Sequence, residues 1–302
     1  MSSATTAATV SSLVCHAHVP MATRCLGSLK RRCASPLRFQ IHDDGTLTDD
    51  DVAVLTEALS PLCIVRRSEA DQRMHELLRR HPHALALRSK LPLALKLFDA
   101  VLLSSEEPFA FCDSDVLFLR SVVNPFVLPA QDTNAVFIED REHSYSMRSW
   151  QLAFAPGVTL PDRVNTGMIC LRRNRYDLDL LDWFVGKRMH AGIPTMLEQT
   201  GWALLGQRIG CRKFDPRQIR IMRGNESNDG LVAGHFTART RHLLDEYFAQ
   251  SQQTFADQEP VHVGTIPSGK CTALSLGMYE TRRIVNRITG AFLPARVVNE
   301  NA

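Results

Sequence analysis

Apolar positions along this chain switch repeatedly between a period of two and a period of three to four residues. Leu37, Phe39 and Ile41 alternate with polar neighbours, which predicts a strand over Leu37–His42, and His42-Asp43-Asp44-Gly45 ends it with turn chemistry. Met21, Cys25 and Leu29 share one face of a predicted helix over Met21–Cys33. Short strands are expected over Ser12–Ala17 and Leu62–Val65, and unbroken apolar runs mark Phe109–Cys112, Asn134–Ile138 and Gly167–Leu171. Thr48 ahead of Asp49, Asp50 and Asp51 reads as a helix start, with Val52, Leu55 and Leu59 inward and Pro61 as the stop. Ser68 and Asp71 open a further helix that Pro82 closes, and Pro92 begins one reaching about Ser104. Tyr176–His190 and Leu197–Gly206 are helical. A strand over Leu231–Phe236 and helices over Arg241–Ala249 and Thr272–Ile288 complete the pattern. Such alternation predicts an α/β chain, a mostly parallel sheet with helices on both faces.

The 302 residues suit one large α/β domain, expected over residues 12–302, with 250–302 as a helical extension. Residues 1–11 are small and polar and read as a disordered tail without the basic start and apolar run of a signal peptide. No stretch reaches the ~18 apolar residues of a membrane span. The expected location is cytoplasmic, with peripheral attachment to a membrane left open. A net charge of +3, spread along the chain, argues against a nucleic-acid partner and leaves anionic small molecules. The eight cysteines show no Cys-x-x-Cys spacing and read as small buried hydrophobes in a reducing compartment. Cys15, His16 and His18 lie close together, as metal ligands or as ordinary strand-end residues.

Chemistry concentrates after one apolar strand. In Phe111-Cys112-Asp113-Ser114-Asp115-Val116, two carboxylates emerge where open α/β sheets bind ligands, outside the carboxyl ends of strands. Spaced by one residue at a bend, they can converge on one hard cation, Mn²⁺ or Mg²⁺, of the kind that bridges carboxylates to a diphosphate. Asp177-Leu178-Asp179 carries the same pattern at the start of an amphipathic helix, where acids simply suit the helix dipole. Position separates the two pairs.

The Asp113-Ser114-Asp115 segment, with its apolar strand before and Val-Leu-Phe after, resembles the Asp-x-Asp motif of GT-A (Rossmann-like) glycosyltransferases, in particular the family 8-like nucleotide-diphospho-sugar transferases. Further segments follow in the family's order over roughly residues 12–245. Val164-Asn165-Thr166-Gly167 is similar to the Asn-Ser/Ala/Thr-Gly segment of the acceptor side, Glu198-Gln199 to the Asp-Gln pair, and Gly234-His235-Phe236-Thr237 to the late histidine segment. Ala238 replaces the usual glycine there, the Lys-Pro-Trp that normally follows is missing, and Arg239 and Arg241 are the nearest cations.

The resemblance implies a glycosyltransferase, hexosyltransferase-like and retaining. It would move a sugar from a nucleoside diphosphate sugar to an acceptor hydroxyl on a glycan, lipid or small molecule. It implies metal ligation by Asp113, Asp115 and His235, and contacts to acceptor or reaction centre from Asn165, Glu198 and Gln199. His16, Asp44, Lys96, Ser114, Arg239 and Arg241 fall on the donor side. Read as residues alone, each keeps a plainer role. His235 could be a structural hydrogen-bonding residue, Asn165 and Asp44 turn residues, Glu198 a helix-start acid and Lys96 part of a solvated helix face. Two other functions fit the sequence: a non-catalytic GT-A-like nucleotide- or sugar-binding module, and a nucleotide-binding P-loop. For the latter, Gly264-Thr265-Ile266-Pro267-Ser268-Gly269-Lys270 nearly matches the phosphate loop, but Cys271 stands where a Mg²⁺-binding hydroxyl belongs.

Overall fold

The computed structural model describes residues 7–129, 132–188, 196–224, 228–254 and 259–292. Strands β1 (Ala8–Val14), β2 (Leu37–Asp43) and β3 (Leu62–Val65) pair in parallel, joined by helices α1 (Val19–Arg32) and α2 (Asp49–Leu59). Helices α3 (Arg67–Leu77), α4 (Pro82–Lys90), α5 (Ala94–Leu97) and α6 (Asp99–Leu102) lead into β4 (Phe109–Cys112), which lies parallel to β1 on its other side. After β5 (Val116–Phe118) come β6 (Ala135–Glu139), α7 (Ser149–Ala153), β7 (Leu160–Pro161), β8 (Val164–Leu171), α8 (Leu178–Arg188) and α9 (Leu197–Ile209). The described chain finishes with β9 (Cys211–Phe214), β10 (Ile219–Ile221), β11 (Ala233–His235), α10 (Leu244–Thr254), β12 (Thr265–Pro267), β13 (Lys270–Cys271) and α11 (Ala273–Phe292).

Eight strands form the main sheet in the order β12-β9-β6-β8-β4-β1-β2-β3. It is mostly parallel, as expected. The exceptions are β8, which runs against both β4 and β6, and the edge strand β12. Alternation along β4 shows why its apolar run is unbroken. Phe109 and Phe111 pack into one core with Leu87, Leu97 and Trp202, while Ala110 and Cys112 face the other with Leu26 and Leu29. Both faces are therefore covered by helices, and Trp202 lies almost parallel to Phe109, 7° between planes and 6.4 Å between centroids. A small second sheet, β10-β11-β5, begins where the chain bends out of β4.

Several boundaries differ from expectation for identifiable reasons. β1 starts at Ala8, inside the stretch read as a tail, because Ala8–Ser11 pair with Leu37–Gln40; residues 1–6 lie outside the described chain. Pro82 begins α4 instead of ending a helix: at the first helical position its missing N–H is no loss. The helix expected from Pro92 to Ser104 breaks at Phe98 into α5 and α6. Residues 250–302 are not only helical, since β12 extends the main sheet against β9 and β13 pairs with β7. Among the eight cysteines, Cys25, Cys112, Cys170 and Cys271 are buried, Cys63 is exposed, and all are free thiols.

Candidate metal and active site

Two pairings bring the Asp-x-Asp bend together with the later segments. β8 runs beside β4 so that the Asp113 N–H donates to the Gly167 carbonyl at 2.8 Å, with Cys112 opposite Met168. β11 runs antiparallel to β5, His235 opposite Val116, and the Phe236 N–H donates to the Asp115 carbonyl at 2.8 Å. One ligand atom each from Asp113, Asp115 and His235 consequently fall within 4.8 Å of one another. Ser114, buried, forms the turn between the two acids.

The ring of His235 is oriented by a chain of hydrogen bonds. The Gly167 N–H donates to Asn165 Oδ1 at 2.9 Å, and Asn165 Nδ2 donates to Gln199 Oε1 at 3.3 Å, which fixes the amide. His235 Nδ1 stands 2.9 Å from that same Oδ1, so Nδ1 carries the proton. Nε2 is left facing the carboxylates, 3.0 Å from Asp115 Oδ1 and 3.8 Å from Asp113 Oδ2. Two carboxylates and an imidazole nitrogen, its ring held by the Asn165 amide, suit a divalent cation of the Mn²⁺ or Mg²⁺ kind. Gly167 is required by this packing. A Cβ there would lie 2.4 Å from His235 Nδ1 and 2.5 Å from Cε1. Gly167→Ala is expected to push the ring off Asn165, weaken Mn²⁺ binding at least about tenfold and destabilise the chain by roughly 1–3 kcal/mol. A Mn²⁺ titration beside a denaturant melt measures both.

Cations flank the acids. Lys96 is only 3% exposed, against the expectation of a solvated face. Its Nζ donates to both oxygens of Asp113, at 2.9 and 2.8 Å, and sits 4.9 Å from the centre of the Phe111 ring. Burial disfavours its charge, but Asp113 and then Glu198 outweigh that and raise its pKa. Arg241 donates to Asp115 Oδ2 through Nε at 3.1 Å and a terminal nitrogen at 2.8 Å, and its other terminal nitrogen donates to His18 Nε2 at 3.1 Å. Burial alone would raise the Asp115 pKa, yet His235 and Arg241 together bring it down to about 2.

On the β8 and α9 side, the Glu198 carboxyl is buried, with Oε2 3.5 Å from the Thr166 hydroxyl and Oε1 without a hydrogen-bond partner among the described residues. Its pKa rises to about 7, chiefly through burial and against the pull of Lys96. Gln199 is fully engaged: Nε2 donates to Asp140 Oδ2 at 3.2 Å and to the Ser144 carbonyl at 2.9 Å, while Oε1 accepts from Asn165. Asp140 was not singled out in the sequence, although it follows the apolar run of β6 just as Asp113 follows β4. His18 was noted only for its proximity to Cys15.

The other residues expected on the donor side make no hydrogen bond or ion pair with this cluster among the described residues. His16 Nδ1 lies 2.7 Å from Asp51 Oδ2, at the capping box of α2. Asp44 Oδ1 closes its own turn by accepting from the Thr46 N–H and hydroxyl at 3.1 and 2.6 Å. Both sit at the carboxyl ends of β1 and β2, the same sheet edge as Asp113. Arg239 is exposed in the turn after β11. Asp177 and Asp179 behave as helix-start acids: Asp177 accepts from the Leu180 N–H at 2.8 Å, and Asp179 lies 2.9 Å from His81 Nε2. The segment that nearly matches a phosphate loop has a different structure. Its Thr265–Pro267 segment is strand β12, paired with β9, the Gly264 N–H donates to Gln218 Oε1 at 2.7 Å, and Lys270 is exposed on β13. Lys270→Ala is expected to leave nucleotide binding and stability unchanged, within ~0.5 kcal/mol by thermal melt.

No protein-family model matches the chain, and no curated protein matches it in sequence. Among solved structures, mouse xyloside xylosyltransferase 1 is similar over 77% of this chain and 98% of its own, at 13% identity and a TM-score of 0.52. LgtC, a galactosyltransferase solved with donor and acceptor sugar analogs, matches over 83% and 97%, at 12% identity and a TM-score of 0.51. GlyE of Streptococcus pneumoniae TIGR4, a glycosyltransferase, is covered over 64% of its length and covers 92% of this chain, at 10% identity and a TM-score of 0.51. The chain has the α/β architecture of these enzymes, the GT-A fold.

Proposed function

We propose that the protein is a metal-dependent glycosyltransferase that moves a sugar, of hexose type, from a nucleoside diphosphate donor to an acceptor hydroxyl. The observation that carries this reading is the Asp113-Asp115-His235 cluster, with His235 Nε2 turned toward the two carboxylates at the carboxyl edge of a GT-A sheet. Asp113, Asp115 and His235 would hold Mn²⁺ or Mg²⁺, which when bound supplies positive charge toward the leaving diphosphate. Arg241, half-exposed and fixed by His18, adds a guanidinium fork suited to phosphate oxygens. Lys96 neutralises Asp113 and keeps the cluster near charge balance.

Asn165 and Gln199 orient the histidine and the Asp140 loop. Asp140 and Glu198 are the carboxyl groups left for the acceptor and the reacting sugar, and the resemblance supports retention of configuration at the anomeric carbon. A reducing, cytoplasmic setting belongs to the same proposal, because the eight cysteines lack Cys-x-x-Cys spacing. The test is turnover of a panel of nucleoside diphosphate sugars with Mn²⁺ and with EDTA, reading released nucleotide and the anomer formed. Turnover that EDTA leaves untouched, or no turnover with any donor, would remove this reading in favour of a binding module.

A further inference from the structure

A cavity of about 940 Å³ opens on the sheet edge opposite the catalytic cluster. It lies where β6 begins and β8 ends, beside Asn134, whose carbonyl accepts from the Arg172 N–H. Along β6 six residues separate Asn134 from Asp140, so the two places stand roughly 20 Å apart at ~3.3 Å per residue.

Three arginines, Arg80, Arg175 and Arg208, line this cavity against two acids, Asp177 and Asp179. Both acids are already occupied. Asp177 Oδ1 caps α8 and its Oδ2 lies 3.5 Å from Arg208 Nε, while Asp179 faces His81. Arg80 and Arg175 make no ion pair or side-chain hydrogen bond among the described residues. Two guanidinium groups without an acid partner in one concavity supply the donors and charge that phosphate oxygens take up. The cavity is far larger than one phosphate, and Leu178 and Ile209 give it an apolar part.

We propose that this cavity is a second binding site, for a phosphorylated small organic molecule of nucleotide size, separate from the donor site. The test is calorimetric titration of the full chain in EDTA with two probes, inorganic pyrophosphate and a nucleoside monophosphate. Saturable binding of the monophosphate is expected, weakened at least about tenfold in Arg80→Ala/Arg175→Ala, weakened less in Arg80→Lys/Arg175→Lys, and unchanged in Arg241→Ala. Both arginines are exposed, and circular dichroism with a thermal melt establishes that each variant is folded. Absence of saturable binding, binding that survives the double alanine variant, or binding lost in Arg241→Ala would overturn the proposal. Binding of pyrophosphate without the monophosphate would overturn its organic part.

Discussion

Asp115→Asn is expected to lower metal-dependent donor turnover on the order of a thousandfold while the chain stays folded. The substitution keeps the shape of the side chain and removes the charge on which the site converges. Asp115 meets His235 Nε2 on one oxygen and the Arg241 fork on the other. An amide cannot satisfy both, and one of its two ends would present N–H groups to a donor. Arg241 is 38% exposed and keeps His18 and water as partners, so the stability loss should stay near 1–2 kcal/mol. Against the effect of burial, His235 and Arg241 hold the Asp115 carboxyl below the ordinary carboxylate range. Asp179→Asn is the matched control, the same sequence pattern spent on a surface pair with His81, and should leave turnover unchanged. Kinetics with and without EDTA, alongside a thermal melt, separate the two. Near-normal EDTA-sensitive turnover by Asp115→Asn would rule out Asp115 as a metal ligand.

The acid pair of the candidate metal site was legible in the sequence because strand-end position is local information: an apolar run, then acids. His235 and Asn165 were reachable only through the order of segments, since nothing within either segment says that β5 pairs with β11 or that β8 reverses between β4 and β6. The two candidate arginines show how local geometry decides between near neighbours. In the turn after β11 the Thr240 and Arg241 N–H groups donate to the Thr237 carbonyl at 2.7 and 3.1 Å. That tight return sends Arg241 back to Asp115 and leaves Arg239 outside. Lys96 was obscured differently. Read within one long helix it looked solvated, but the break at Phe98 leaves it on the short α5, buried against Phe111 and Asp113. Asp140 and the opposite-edge cavity needed tertiary contacts, because their partners come from segments far apart in the chain.

Glu198→Gln should remove part of the pH dependence of stability. The carboxyl has an ordinary value of 4.5 and a folded value of about 7, set mainly by burial. Below pH 4.5 the group is protonated in both states and contributes no difference. Between 4.5 and 7 the unfolded chain releases the proton and the folded chain keeps it, so stability falls as pH rises and levels off above 7. At about 1.36 kcal/mol per pH unit the loss amounts to about 3 kcal/mol. Glutamine never ionises and should not show it. In metal-free protein the variant's unfolding free energy, relative to wild type, should therefore improve by about 3 kcal/mol between pH 4.5 and pH 8. Subtracting the two profiles cancels the groups remote from position 198, while Lys96 and Asp113, which share charge interactions with Glu198, contribute to the difference. Activity should report the same group from the other side. If the Glu198 carboxylate acts on the acceptor or the sugar, kcat/KM of the metal-loaded wild type rises through about pH 7, and the variant is slow and flat. Parallel stability profiles for the two chains would show that Glu198 is already ionised below pH 7 in the folded state. A flat stability difference combined with normal turnover would leave it no role beyond filling the first turn of α9.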